Sequence, residues 1–123
     1  MEHALLVAFL EGRLTPEQFG DEVADEVSAC NLACDRTGEG RVFITPGPDT
    51  IVTRDYARRL LEAVAGQRLT VEIANYAATC IIFGDFEFGD DVVNEAIWLV
   101  EMADLDQPTI NDMRAAIDRL AHL

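Results

Sequence analysis

Between Ile81 and Leu105 the chain reads IIFGDFEFGDDVVNEAIWLVEMADL, and any fold it adopts has to house that stretch. An apolar opening gives way to a turn, Asp85 to Asp91, that carries four acids and two phenylalanines. The strongest apolar helical segment of the sequence follows, expected from about Asp90 to Asp104, and its place is at the centre of the core. Phe86 and Phe88 alternate inward while Asp85 and Glu87 alternate outward. Asp90 or Asp91 caps the helix, where a carboxylate accepts first-turn N–H groups and meets the positive end of the helix dipole. A calcium loop fails here: counting from Asp85, the sixth residue is Asp90 rather than glycine and the twelfth is Ala96 rather than Glu. No metal and no cofactor is expected.

Projected at about 100° per residue, Val93, Ala96, Ile97, Val100 and Ala103 form the core face of that helix. Trp98 and Met102 then lie one turn apart on the far side, flanked by Asp91, Glu95 and Glu101. Exposed Trp and Met among acids suit a binding hot spot. The alternative, which the overall apolarity favours, packs the helix on both sides and buries Trp98.

Upstream, apolar spacing and capping residues mark out the other elements. Leu5, Leu6, Phe9 and Leu10 make a short amphipathic helix of Glu2 to Glu11, broken by Gly12 and Arg13. Thr15-Pro16-Glu17-Gln18 is a strong helix start, with Thr as N-cap, Pro at the first helical position and Gln three residues beyond the cap. The helix it opens runs to about Ala33 and turns Phe19, Val23, Val27, Cys30 and Cys34 inward. Its other face holds Glu17, Asp21, Glu22, Asp25 and Glu26, first of all a solvated face and otherwise an acidic docking surface. Two like-charge pairs at i, i+4, Asp21 with Asp25 and Glu22 with Glu26, each cost a few tenths of a kcal/mol.

Two β-branched runs, Arg41 to Thr45 and Thr50 to Thr53, flank Pro46-Gly47-Pro48-Asp49 and predict a small hairpin within residues 41–53, or else extended loop. A lone two-stranded hairpin is marginal and would have to pack on helices. Thr53 or Asp55 caps a third helix, Tyr56 to Ala65, which buries Tyr56, Leu60, Leu61 and Val64 and ends at Gly66. Val71 to Phe83 is apolar nearly all round, so it is buried on more than one side. Gln107-Pro108 stops the fifth helix, and Thr109 caps a last one with Ile110, Met113, Ile117 and Leu120 inward. The expected fold is one all-α domain, a bundle of five or six helices, in a chain of 123 residues that is long enough to bury a core.

The chain also echoes itself. A shift of about 55 residues lays Leu5, Leu6, Ala8, Arg13, Leu14, Thr15 and Glu17 on Leu60, Leu61, Ala63, Arg68, Leu69, Thr70 and Glu72. Each copy is the end of a leucine-rich helix, a Gly-containing break, and Leu-Thr-x-Glu opening the next helix. The likeness fades after Glu17, which favours convergence on good capping chemistry over duplication.

Charge narrows the function. Nine cations, all arginine, against 23 Asp and Glu leave a net charge of −14. Phosphates are repelled by such a chain, which argues against direct nucleic-acid binding and for fast, salt-sensitive association with a basic protein. No membrane association is expected, because the apolar run Ala4 to Leu10 is too short to span and Met1-Glu2-His3 lacks a basic leader pattern. Three cysteines without a zinc spacing read as free thiols of a cytoplasmic protein. Nothing resembles a nucleophile with its base, or a phosphate loop, so an enzyme is not expected.

Phe9-Leu10-Glu11-Gly12-Arg13-Leu14-Thr15-Pro16-Glu17-Gln18-Phe19 resembles the opening of small bacterial immunity proteins, of the colicin and contact-dependent-inhibition types. In these, a short helix, a Gly break and a Ser/Thr-x-x-x-Phe helix start precede an acidic helical domain. The chain departs from that pattern in lacking the Trp or Tyr cluster that follows the first acidic helix. The resemblance implies an inhibitor that neutralises a basic toxin domain. The residues expected to meet the partner are Asp85, Phe86, Glu87, Asp90, Asp91, Glu95, Trp98 and Glu101, with Asp21, Glu22, Asp25 and Glu26 on the second helix. Two alternatives remain: an anti-CRISPR or other DNA-mimicking inhibitor of a nucleic-acid-binding complex, and a homodimeric structural or regulatory adaptor.

Overall fold

Helix-capping chemistry decides most of the element boundaries in the computed structural model, which describes residues 1–37, 44–103 and 107–121. Six helices and two short strands follow one another among these residues: α1 (His3–Leu10), α2 (Pro16–Thr37), β1 (Thr50–Val52), α3 (Arg54–Ala65), α4 (Val71–Phe83), β2 (Phe86–Phe88), α5 (Asp91–Glu101) and α6 (Gln107–Ala121). Thr15 and Gln18 form a reciprocal capping box: the Gln18 N–H donates to Thr15 Oγ1 at 3.1 Å and the Thr15 N–H to Gln18 Oε1 at 3.0 Å. Thr53 accepts from the Tyr56 N–H at 3.2 Å, Thr70 from Ile73 at 3.3 Å and Asp90 from Val93 at 3.0 Å.

Several expected boundaries move. With Thr53 as its cap, α3 begins at Arg54 rather than Tyr56, and α2 runs on to Thr37. The fifth helix ends at Glu101, short of Asp104, which lies outside the described residues. Thr109 is not a cap, because α6 already starts at Gln107. Pro108 fits that first turn, where its missing N–H has no intrahelical partner to lose.

The helices share one buried cluster. The third helix packs on α1, α5 and α6, and α4 lies between α2 and α5. This position explains the all-round apolarity of α4, whose Ile73, Ala74, Tyr76, Ala77, Ala78, Cys80 and Ile81 are all buried. Phe9 of α1 stacks on Phe19 of α2 with ring centroids 4.5 Å apart. Both rings are fully buried together with Leu6, Leu10, Leu60, Leu61 and Ile97.

The expected hairpin is replaced by a different pairing. Thr50–Val52 is a strand, but its partner is β2, in parallel, with Thr50 beside Phe86, Ile51 beside Glu87 and Val52 beside Phe88. Residues 41–43, the greater part of the expected first strand, lie outside the described residues. Thr45 instead donates its N–H to the Met1 carbonyl at 2.9 Å, and the Gly47 N–H goes to the Asp85 carboxylate at 3.0 Å. Asp85 takes the N–H groups of both Gly47 and Thr50, so the segment before β1 is tied to the approach of β2 rather than folded back on β1.

The echo seen in the sequence extends to the backbone. Both breaks are Schellman turns, in which two N–H groups fold back on the last free carbonyls of a helix. Gly12 donates to Phe9 O at 3.0 Å and Arg13 to Ala8 O at 2.9 Å; one module later Gln67 donates to Val64 O at 3.0 Å and Arg68 to Ala63 O at 2.9 Å. The left-handed residue of the turn is Gly12 (φ 83°) in the first copy and Gln67 (φ 58°) in the second. Across the two copies, Arg68 binds Glu17 through two hydrogen bonds of 2.9 Å, and Arg59 Nε caps the α1 C-terminus on Leu10 O at 3.0 Å.

Candidate functional site

The fifth helix has two unlike faces. Val93, Ala96, Ile97 and Val100 are buried against α3, α4, α6 and β2. Asp91, Glu95, Trp98 and Met102 follow at i, i+4, i+7 and i+11, and all four are exposed. At about 100° per residue they share a single line along the helix. Trp98 is 43% exposed and Met102 77%, so the reading that buried Trp98 in a doubly packed helix is overturned. One packed face is enough for α5, because α3, α4, α6 and β2 all meet it while Asp91, Glu95, Trp98 and Met102 stay exposed.

Both ends of this helix are fixed. At the start, Asp90 caps Val93 and receives Arg54 Nε at 2.7 Å. The Arg54 guanidinium first, and then the Val93 N–H, hold the Asp90 carboxyl below its ordinary range. At the other end, Asn75 of α4 donates to Val100 O at 2.6 Å. Along the exposed line Glu95 meets Arg119 of α6 at 3.4 Å. Among the described residues Asp91 and Glu101 form no ion pair.

The acidic turn does not act as a patch of equivalent carboxylates. Asp85 is tied to the Gly47 N–H by its side chain and to the Thr50 N–H by its carbonyl, both at 3.0 Å. Asp90 is engaged as described. Phe86 is half-buried and stacks on His3 with centroids 4.7 Å apart. Glu87 points outward beside Ile51, which is 57% exposed. On α2, Asp21, Glu22 and Asp25 are exposed, whereas Glu26 is half-buried and accepts from the Tyr76 hydroxyl at 2.5 Å and from the Met1 amino group. The helices α2 and α5 each pack on α4.

Sequence reasoning passed over His3. Its side chain is buried at 4% exposure beneath Gly47, where an added Cβ would fall 2.3 Å from the ring. Thr50 Oγ1 gives its proton to Pro48 O at 2.9 Å and therefore accepts from His3 Nε2 at 3.1 Å, which leaves Nδ1 buried without a hydrogen-bond partner. No periodicity could have signalled this, since the partners come from residues 45–50 and 86. Cys80 is also buried, and burial pushes its thiol up to about 12; Cys30 is half-buried and free, and the Cys34 side chain lies outside the described residues.

Among the described residues no three His, Cys, Asp or Glu side chains converge as a metal set, and no helix is long and apolar enough to cross a membrane. The chain matches no protein-family model, no curated protein and no solved structure.

Proposed function

We propose that this chain is an acidic inhibitory binding protein that neutralises a basic protein, a toxin domain of the kind immunity proteins hold, through the outer face of α5. The observation that carries this reading is the exposed line Asp91, Glu95, Trp98, Met102. A solvated helix face gains nothing within the monomer from showing a Trp and a Met to water. At an interface both supply large, adaptable apolar contact, and Trp is the residue type most enriched where truncation costs most. The acids beside them, on a chain of net charge −14, speed the approach of a cationic surface. A cytoplasmic site of action goes with this reading.

Self-association is disfavoured by charge, because a chain of net charge −14 repels its own copy. The DNA-mimic reading is weakened because Glu26, Asp85 and Asp90 are engaged within the fold.

The test is affinity capture from the native host after nuclease treatment, followed by an inhibition assay on the purified partner. Wild type is expected to retain one stoichiometric basic protein in moderate salt and to inhibit its activity. Trp98→Ala is expected to weaken the complex by about 2 kcal/mol or more, roughly 30-fold. Capture of an acidic protein, of nothing but the chain itself, or of a partner indifferent to Trp98→Ala would overturn the proposal, and a Cas-type subunit would move it to the DNA-mimic reading.

A further inference from the structure

The C-terminal end of α5 carries more than a generic preference for positive charge. Helix carbonyls there present the negative pole of the dipole. No basic side chain occupies the last turn to offset it, and Glu101 adds a full negative charge in that turn. Trp98 begins the same turn, with Glu95 three residues before it, Glu101 three residues after and Met102 four residues after. Side chains at these spacings are neighbours, with Cβ atoms about 5–6 Å apart. Glu95 already meets one guanidinium, that of Arg119, at 3.4 Å, while Glu101 meets none among the described residues.

We infer that Trp98, Met102 and Glu101 form a seat for an arginine side chain projecting from the partner. This rests on the docking reading of α5 and names the chemistry that the face selects. An indole face attracts a cation through its quadrupole, and a guanidinium lies flat on it while its N–H edge stays free. That edge reaches the Glu101 carboxylate in a charge-assisted hydrogen bond. Met102 closes the seat with a polarisable thioether. Lysine satisfies the charge but not the plane: its ammonium is compact, strongly hydrated and unable to stack. The seat therefore separates arginine from lysine, which net charge alone does not.

The probes are fluorescein-labelled nona-arginine, nona-lysine and nona-citrulline peptides, read by anisotropy at fixed ionic strength. Trp98 is the chain's single tryptophan, so its emission reports the same site in the wild type. Nona-arginine should bind about two- to five-fold tighter than nona-lysine, the range of an exposed cation–π contact, and should quench Trp98. Nona-citrulline should not bind. In Trp98→Leu the arginine preference should vanish, and Glu101→Gln should weaken nona-arginine more than nona-lysine. The circular dichroism of both variants should match wild type, since Trp98 is exposed and Glu101 only half-buried. Equal affinity of wild type for the two cationic peptides, binding of nona-citrulline, or a preference that survives Trp98→Leu would overturn the seat. The docking reading still stands if Asp91→Asn/Glu101→Gln then weakens both cationic peptides alike. If only Asp21→Asn/Glu22→Gln/Asp25→Asn weakens them, the docking reading falls and takes the seat with it.

Discussion

Positions 12 and 67 offer an internal control that few single chains provide. The same Schellman turn is built twice, once around Gly12 at φ 83° and once around Gln67 at φ 58°. A residue with a Cβ pays about 1–2 kcal/mol in the left-handed region, and replacing Gly returns about 0.4–1 kcal/mol by restricting the unfolded chain. Gly12→Ala should therefore destabilise by about 0.5–1.5 kcal/mol from backbone conformation alone. Its new Cβ also falls 2.6 Å from Arg59 Nη1. The guanidinium has to withdraw, which strains the Arg59 bond to Leu10 O and adds up to about 1 kcal/mol. Gln67→Gly runs the same arithmetic backwards and should stabilise by about 0.5–1.5 kcal/mol. The assay is urea unfolding followed by helical circular dichroism. With a slope of about 1–3 kcal/mol per molar urea, Gly12→Ala should lower the midpoint by roughly 0.5–1 M and Gln67→Gly should raise it. Arg59→Ala in the wild-type and Gly12→Ala backgrounds separates the side-chain part from the backbone part. Shifts of the same sign at the two positions, or a neutral Gly12→Ala, would refute the claim that a side chain at the left-handed position of these turns costs stability.

The orientation of α5 predicts a sharp contrast between adjacent residues. Ile97→Ala should cost about 2–5 kcal/mol, the range for emptying a closed core site, and Trp98→Ala no more than about 0.5 kcal/mol; comparable losses would mean the helix is rotated. Asp90→Asn keeps a good cap and loses the Arg54 ion pair, whereas Asp90→Leu loses both, so unfolding midpoints should fall in that order. Because the Asp90 carboxyl is held below its ordinary range, its contribution is complete above the unfolded value of about 3.9 and disappears as pH falls through the folded one. The difference between wild type and Asp90→Asn should thus be constant from pH 5 to 8 and begin to shrink below about pH 4. A gap that does not shrink at all as pH falls below the unfolded value would show that charge is not its source.

What could be read from the sequence was local, and what could not was assembled at a distance. Thr15, Thr53, Thr70 and Asp90 announce their helices because a cap and its N–H partners lie within three residues. Leu60, Leu61 and Val64 announce a buried face because period 3.6 survives whatever packs against it. Glu26 lies on the acidic face of α2 by projection, yet its partners are Tyr76 and the amino group of Met1, and neither leaves a mark near residue 26. The partner of β1 was missed for the same reason: residues 86–88 read as an alternating turn, and nothing nearby says which segment they join. Trp98 reads as buried because the apolarity of α5 suggests two packed faces where one suffices.

The parallel pairing of β1 with β2 has a consequence for how the molecule comes into being. Parallel strands cannot be joined by a tight turn, and here the connection consists of α3, the Schellman turn and α4. Bringing Thr50 to Phe86 closes a long loop, whose entropic cost is offset by the packing of those two helices on α1, α2, α5 and α6. The strand pair is therefore expected to close late in folding, as a latch rather than a nucleus. The clasp of Arg54 on Asp90, which sets where α5 begins, spans the same long loop, so the aim of the Trp98 face depends on a contact made at a distance in the chain.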